Sequence, residues 1–297
     1  MSILLGRHIN VSHGFLTAPA YAKSLGCNFF QIFLGNPQQI ISKMRDMDIL
    51  KEFGNELKKN KMKMVVHGSY TINLCHPETN SIFQSSVKSL VQDLNSSVLI
   101  GKNCIGVIVH MGKNIKANNL SNEDAIENYI DGLKMALDES NGGTIILETG
   151  ASQGTEVGSK LETLAEIYDG LTDSEKKRVM FCIDTCHIWA SGYDISTPQK
   201  VNSFFKKFDN LIGIEKIACI HLNDSRTGLD SHVDRHADIG YGFIGIDGLK
   251  SVVKFAHKHH IAILMETPLC AVDENTGQEI NTQSEIKRIK SWLSSNT

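Results

Sequence analysis

Proline is scarce in this chain, at 5 of 297 residues, and no stretch rich in proline, glycine or serine interrupts it. Without such a linker the chain reads as one domain over residues 1–297. Its length fits that reading, because α/β barrels commonly run to about 250 residues and more as a single domain. Long apolar runs are also missing. No span approaches the roughly 18 residues of a membrane helix, and the opening MSILLGRHINV is interrupted too soon to be a signal peptide. A soluble, intracellular protein is expected, with its compartment open. Cysteine gives no disulfide framework: the seven residues are an odd number scattered through apolar segments, as at Cys104, Cys182 and Cys219. Buried free thiols in a reducing compartment are expected. Cys182 and Cys186 flank Asp184, but a structural zinc–thiolate site takes four ligands and no second cysteine pair stands at suitable spacing. There is no basic excess either: the formal charge is −3, which by itself speaks against a nucleic-acid partner. Internal repeats and low-complexity segments are absent.

What is present is a regular alternation. Apolar, β-branched runs occupy residues 3–9, 29–35, 64–70, 104–110, 144–150, 179–185, 217–224 and 261–267. Between them lie stretches of helical periodicity, such as residues 81–101 and 122–140. Near-continuous apolar strands alternating with amphipathic helices predict a parallel sheet covered by helices. Eight such units predict a (β/α)8 TIM barrel, an α/β fold whose functional residues sit at the C-terminal ends of the strands.

Those ends carry a pattern. His67, His110, Glu148, Asp184, His221 and Glu266 stand at or next to the ends of their runs, separated by 43, 38, 36, 37 and 45 residues, each about one βα unit. The segment VDRHADIG (233–240) adds Asp234 and His236 two residues apart, and His187 follows Asp184 by three. One histidine at a strand end is ordinarily structural. Glu148 and Asp184 are more telling, because each follows an apolar run where an unpaired carboxylate would be costly to desolvate. A metal offsets that cost, and zinc takes His nitrogen together with Asp or Glu oxygen. The repeated pattern points to a multi-metal hydrolase. His257, His259 and His260 fall at a helix end, where a partly positive imidazole suits the helix dipole. His8 ends the first strand and is a candidate neighbour of the ligands, while His13, His76 and His232 are given no role.

The pieces CIDTCHIWASGYD (182–194), HLNDS (221–225), VDRHADIGYGFIG (233–245) and LETGASQGTE (147–156) resemble the endonuclease IV family of zinc-dependent apurinic/apyrimidinic endonucleases. The resemblance runs from GRHIN at residue 6 to METP at residue 265. It implies three zinc ions: one held by His67 and His110, with Glu148 bridging to a second; that second completed by Asp184, His221 and Glu266; and a third held by His187, Asp234 and His236, on loops after strands six and seven. Manganese is compatible with an oxygen-rich position among these. Glu148 and Glu266 are the implied catalytic residues, Glu266 as a group that orients or deprotonates water.

The implied reaction is DNA repair chemistry: hydrolysis of the phosphodiester 5′ to an abasic site in duplex DNA, leaving a 3′-hydroxyl and a 5′-deoxyribose phosphate. Zinc lowers the pKa of bound water to about 7, so no covalent protein intermediate is needed. Three divalent ions would also turn the formal charge of −3 into +3, which removes the objection to a polyanionic partner. The duplex is expected to bend and the abasic nucleotide to flip into the barrel mouth. Asn36, Gln38, Tyr70 and Arg235 are the candidate DNA contacts. Gln38 stands where the family pattern has an arginine wedge, which weakens the expected grip of that loop. A monomer acting on abasic duplex DNA, with no membrane partner, is the expectation. A metal-dependent sugar isomerase or epimerase on the same barrel is the rival reading, and a catalytically silent lesion binder is another. A third metal group argues against the first, and the presence of both Glu148 and Glu266 against the second.

Overall fold

The computed structural model describes residues 3–12, 14–273 and 277–294. In chain order its main elements begin with β1 (Leu5–His8), α1 (Ala18–Ser24), β2 (Phe29–Phe33), α2 (Met47–Asn60), β3 (Lys63–His67) and α3 (Ser81–Ile100). They continue through β4 (Cys104–Val109), α4 (Asn122–Glu139), β5 (Ile145–Glu148), α5 (Leu161–Asp169), β6 (Val179–Asp184), α6 (Thr185–Ala190) and α7 (Pro198–Leu211). The last are β7 (Ile217–His221), β8 (Asp224–Ser225), β9 (His236–Ala237), α8 (Ile246–Lys258), β10 (Ala262–Met265) and α9 (Thr282–Ser294). All eight apolar runs became strands, and they close into a parallel barrel in the order β1-β10-β7-β6-β5-β4-β3-β2. The periodic stretches became α3 and α4 nearly to the residue. Among the described residues no helix is long and apolar enough to cross a membrane.

The strands are apolar throughout because both of their faces are buried. Phe29, Val65, Ile108, Ile146, Cys182, Cys219, Ala262 and Leu264 fill the barrel interior. The alternate residues, among them Phe30, Val66, Val107, Ile145 and Ile263, pack outward against the helices. The two interior cysteines act as small apolar fillers where a larger side chain would overfill the barrel. Gly6 is dictated by sterics, since a Cβ there would collide with the carbonyl oxygen of Phe29 on the neighbouring strand.

Helix starts follow local chemistry. Ser121 and Asp124 form a reciprocal capping box on α4, and Thr197 caps α7 with Pro198 in its first turn. His257 lies in the last turn of α8 and His259 caps it, the electrostatically suitable end for an imidazole. The cysteine expectation needs correction at two positions. Cys27, Cys75, Cys182, Cys186 and Cys219 are buried and unpaired, but Cys104 is only partly buried and Cys270 is exposed. It lies in the segment after β10, on the barrel rim. α9 runs through Leu293 to Ser294, and the residues beyond, for which the sequence predicts fraying, lie outside the described residues, as does His13.

Candidate metal centre

Parallel strands place their C-terminal ends at one face of the barrel, and six polar residues arrive there in register. His67, Glu148, Asp184 and His221 are the last residues of β3, β5, β6 and β7. His110 and Glu266 come directly after β4 and β10. The sequence placed the other three on loops, and two of them are not. His187 lies inside α6, a helix too short to show periodicity, and His236 opens the two-residue strand β9. Asp234 is in the connection just before β9.

The donor atoms fall into three groups. Glu148 Oε2 lies 3.3 Å from His67 Nε2 and 3.6 Å from His110 Nδ1. The other oxygen of the same carboxylate, Oε1, lies 2.9 Å from His221 Nδ1. That nitrogen also faces Glu266 Oε2 at 3.3 Å and Asp184 Oδ2 at 3.7 Å. In the third group, Asp234 places Oδ2 3.3 Å from His187 Nε2 and Oδ1 3.1 Å from His236 Nε2. Asp184 Oδ2, 3.6 Å from His236 Nε2, adjoins this group as well.

These spacings are those of donors that share a cation. Two atoms each about 2.1 Å from a tetrahedral zinc stand about 3.4 Å apart. Glu148 Oε2, His187 Nε2 and His236 Nε2 are buried without any hydrogen-bond partner. Leaving such atoms unsatisfied costs about 1–3 kcal/mol each. A cation that accepts both imidazole nitrogen and carboxylate oxygen fits all three. The far sides of His67, His187, His221 and His236 are already committed. A backbone carbonyl can only accept, so the contacts of His67 Nδ1 with Gly68 O and His187 Nδ1 with Thr149 O, each 2.8 Å, fix the ring proton on Nδ1. The lone pair is then left on Nε2, toward the cluster. Cys182 and Cys186 lie close enough to join, yet burial pushes the Cys186 thiol up to about 12 and Cys182 well above its ordinary value.

The electrostatics show what crowding does before any cation enters. Burial alone would raise the Glu148 carboxyl, but His110 and His221 hold it well below its ordinary value. Burial likewise opposes ionisation of Glu266, and His221 brings it down to about 2. Burial pushes His110 down to about 4, leaving a neutral imidazole. His236 goes the other way: burial lowers it, but Asp184 and Asp234 raise it to about 9.

Several supporting contacts gave no sequence signal. Asp184 Oδ1 accepts from the backbone N–H groups of Cys186 and His187 at 2.7 and 3.1 Å, so it caps the helix that carries His187. Asn223 donates to Asp184 Oδ2 at 2.8 Å and accepts from the Glu266 N–H at 2.8 Å. Asp224 gathers the N–H groups of Gly240, Gly242 and Ile244, and a Cβ on Gly242 would collide with the Ser225 carbonyl oxygen. Asp238 receives the N–H groups of Leu269, Cys270 and Ala271. These two buried aspartates tie the loops around β9 to the barrel rim. Gln31, fully buried in β2, touches His8, His221 and Glu266.

A cleft of about 390 Å³ opens over the cluster, lined by Tyr70, Lys113, His187, Asp234, His236 and Glu266 among others. Tyr70 is half exposed, its ring centroid 5.1 Å from Phe33, 5.6 Å from His67 and 5.5 Å from His110. The Tyr70 N–H donates to the Pro37 carbonyl at 3.0 Å, which docks the Asn36–Gln38 loop beside it. Gln38 and Arg235 are exposed; Asn36 Oδ1 accepts from the Gln38 N–H, and Arg235 Nη1 donates to the Asp234 carbonyl.

Set beside known proteins, the chain matches the family described as xylose isomerase-like TIM barrel over residues 19–292. It is 59% identical over 294 residues to a protein of Acanthamoeba polyphaga mimivirus that carries the name endonuclease 4, covering 99% of this chain and 94% of that one. It is 33% identical over 295 residues to apurinic-apyrimidinic endonuclease 1 of Saccharomyces cerevisiae, covering 98% and 76%. Among solved structures, endonuclease IV of Thermus thermophilus superimposes with a TM-score of 0.80 at 27% identity over 98% of each chain. A D-tagatose 3-epimerase-like protein superimposes with a TM-score of 0.71 at 15% identity over 98% of this chain and 97% of that one, a likeness of fold alone.

Proposed function

The chain belongs to the endonuclease IV family, and on that premise we propose that it is a DNA-repair hydrolase that cuts the phosphodiester 5′ to abasic sites in duplex DNA. The products are a 3′-hydroxyl and a 5′-deoxyribose phosphate, and the whole chain acts as one catalytic domain and as a monomer. The observation that carries this reading is the convergence of Glu148 Oε2, His187 Nε2 and His236 Nε2, three buried atoms that make no hydrogen bond, on one barrel mouth.

His67, His110 and Glu148 would hold one zinc, Glu148, Asp184, His221 and Glu266 a second, and His187, Asp234 and His236 a third. The first two sets are supported by groups of donor atoms in mutual reach, and the third by Asp234, whose two oxygens lie 3.3 Å from His187 Nε2 and 3.1 Å from His236 Nε2. Bound there, the ions supply Lewis acidity toward phosphate oxygens and a source of hydroxide at neutral pH. The residues of the chain do the rest. Glu266, at the edge of the cleft and held ionised, orients an attacking water and takes its proton. Tyr70 presents an aromatic face at the rim to the sugar or base beside the lesion. Asn36 and Gln38 enter the gap in the base stack, and Arg235 meets a backbone phosphate. Extrusion of the nucleotide into the cleft is cheapest where base pairing is already lost, which supplies selectivity for abasic positions. The epimerase reading has fold likeness behind it but gives no use to the third group.

The test is incubation of the zinc-loaded protein with a duplex carrying one synthetic abasic analogue, beside the undamaged duplex. A single nick 5′ to the lesion with a 3′ end that a polymerase extends is the expected result. No nick from protein holding about three zincs would overturn the proposal and turn attention to sugar substrates.

A further inference from the structure

Of the eight barrel strands, β1 and β2 alone contribute no candidate ligand at their mouth ends. Their polar residues, His8 and Gln31, are instead joined beneath the cluster. The Gln31 side chain is fully buried. Its Nε2 donates to Glu266 Oε1 at 2.6 Å and meets His8 Nδ1 at 3.1 Å. Its Oε1 is 2.8 Å from His221 Nε2. Every hydrogen-bonding site of the carboxamide except one oxygen lone pair is thereby engaged, and the neighbours determine which end is which. Glu266 can only accept, so it faces the NH2 group. The remaining end is the oxygen, and an amide oxygen can only accept, so His221 must carry its ring proton on Nε2.

We propose that Gln31 is the positioning residue of the central metal group. It fixes the His221 tautomer so that the Nδ1 lone pair points at Glu148, Asp184 and Glu266, and it occupies Oε1 of Glu266 so that Oε2 is the oxygen offered to the ion. The second statement has geometric support: Oε2, not Oε1, is the oxygen 3.3 Å from His221 Nδ1. The position requires a donor toward a carboxylate and an acceptor toward an imidazole on one uncharged side chain. Leucine or methionine supplies neither, an ionised glutamate supplies only acceptors, and lysine only donors. A carboxamide supplies both. Residues that orient the ligands of a metal in this way are typically worth about 10–100-fold in metal affinity or activity.

This inference rests on the reading that a divalent ion occupies the central group, and the experiment separates the two. The whole chain is stripped of metal and titrated with zinc against a chromophoric chelator, for wild type, Gln31→Met and Gln31→Glu. Wild type is expected to bind about three ions. Gln31→Met, similar in length and without hydrogen bonds, is expected to bind one of them about 10–100-fold more weakly. Its kcat should fall at limiting zinc and recover with excess zinc, its KM for abasic duplex should stay unchanged, and its metal-free Tm should stay close to wild type. A merely structural role would lower the metal-free Tm and leave the zinc titration alone. Gln31→Glu keeps the shape of the side chain and places a second carboxylate against Glu266, so it should also lose affinity; it carries the measurement if the Met variant does not fold. Wild-type zinc affinity in the variants would overturn the role of Gln31. A wild-type chain that binds no zinc would overturn the metal reading itself.

Discussion

Glu148→Gln is the sharpest perturbation of the centre, because it replaces one oxygen with NH2 and keeps the shape. Glu148 is the one carboxylate whose two oxygens face different groups: Oε2 looks to His67 and His110, Oε1 to His221. A carboxamide keeps one oxygen and replaces the other with NH2, which donates and cannot ligate. If NH2 turns toward His67 and His110, the first ion keeps two protein donors of three. If it turns toward His221, the central ion loses one of four. In both cases the carboxylate that would bridge the two proposed ions is lost. We expect kcat to fall at least about 10³-fold, about 4 kcal/mol at about 1.36 kcal/mol per decade. The fold should survive. Neutral His110 needs no counter-charge, and His221 can shed its proton when the carboxylate is gone, so the structural cost is that of an imperfectly paired buried group, about 1–3 kcal/mol. At about 2–4 °C per kcal/mol for a chain of this size, the metal-free Tm should fall by about 2–12 °C. The assays are single-turnover cleavage of abasic duplex, zinc content by mass spectrometry and a thermal melt. A variant that cuts within about tenfold of wild type with its full zinc complement would refute the bridging role.

In the metal-free chain His236 is raised to about 9 from an ordinary 6.5, so its contribution to stability is complete below about pH 6.5 and disappears as pH rises through about 9. The metal-free Tm should therefore drop between pH 7 and 10 while the zinc-loaded Tm does not; parallel curves would count against proton and zinc competing for that nitrogen. Acidification should release zinc and activity together below about pH 5, as the histidines protonate; activity that persists there with bound zinc would contradict histidine ligation. Tyr70→Ala should weaken binding of abasic duplex by about 1–3 kcal/mol, or about 5–150-fold, with zinc content unchanged; unchanged affinity would remove Tyr70 from the interface. Arg235→Ala should reduce the slope of log affinity against log salt by about 1, and an unchanged slope would mean that Arg235 meets no phosphate.

The barrel was legible because its signals are one-dimensional. Both faces of each strand are buried, so each strand is written as an unbroken apolar run, and a polar residue at the end of a run is conspicuous. His67, Glu148, Asp184 and His221 could be found that way. Gln31 could not: it sits in the middle of such a run, and its partners His221 and Glu266 are 190 and 235 residues away. Its meaning exists only once the barrel has closed. Asn223 stands inside HLND without standing out there, because both partners of its side chain, Asp184 and the Glu266 N–H, come from distant parts of the chain. α6 carries no sequence signal for a different reason. Six residues give less than two turns, too few for a 3.6-residue period to register, and what marks the helix is the cap that Asp184 supplies.

That cap shows how the barrel brings a third group of donor atoms beside the central one. Asp184 ends β6, and its two oxygens have separate duties. Oδ1 holds the N–H groups that start α6, which sets where His187 stands. Oδ2 faces His221 of the central group and His236 of the third, with Asn223 donating to it. The same carboxylate thus sets the distance between the two groups. The remaining donors of the third group, Asp234 and His236, are delivered by the short β8–β9 hairpin, which Asp224 anchors by its bonds to Gly240, Gly242 and Ile244. Everything specific to the third group is therefore built after β6 and β7, on a cap and a hairpin, while the strands beneath keep the shared architecture. On the proposed function, the charge neutralised at additional phosphate oxygens would come from these two segments and not from the barrel core.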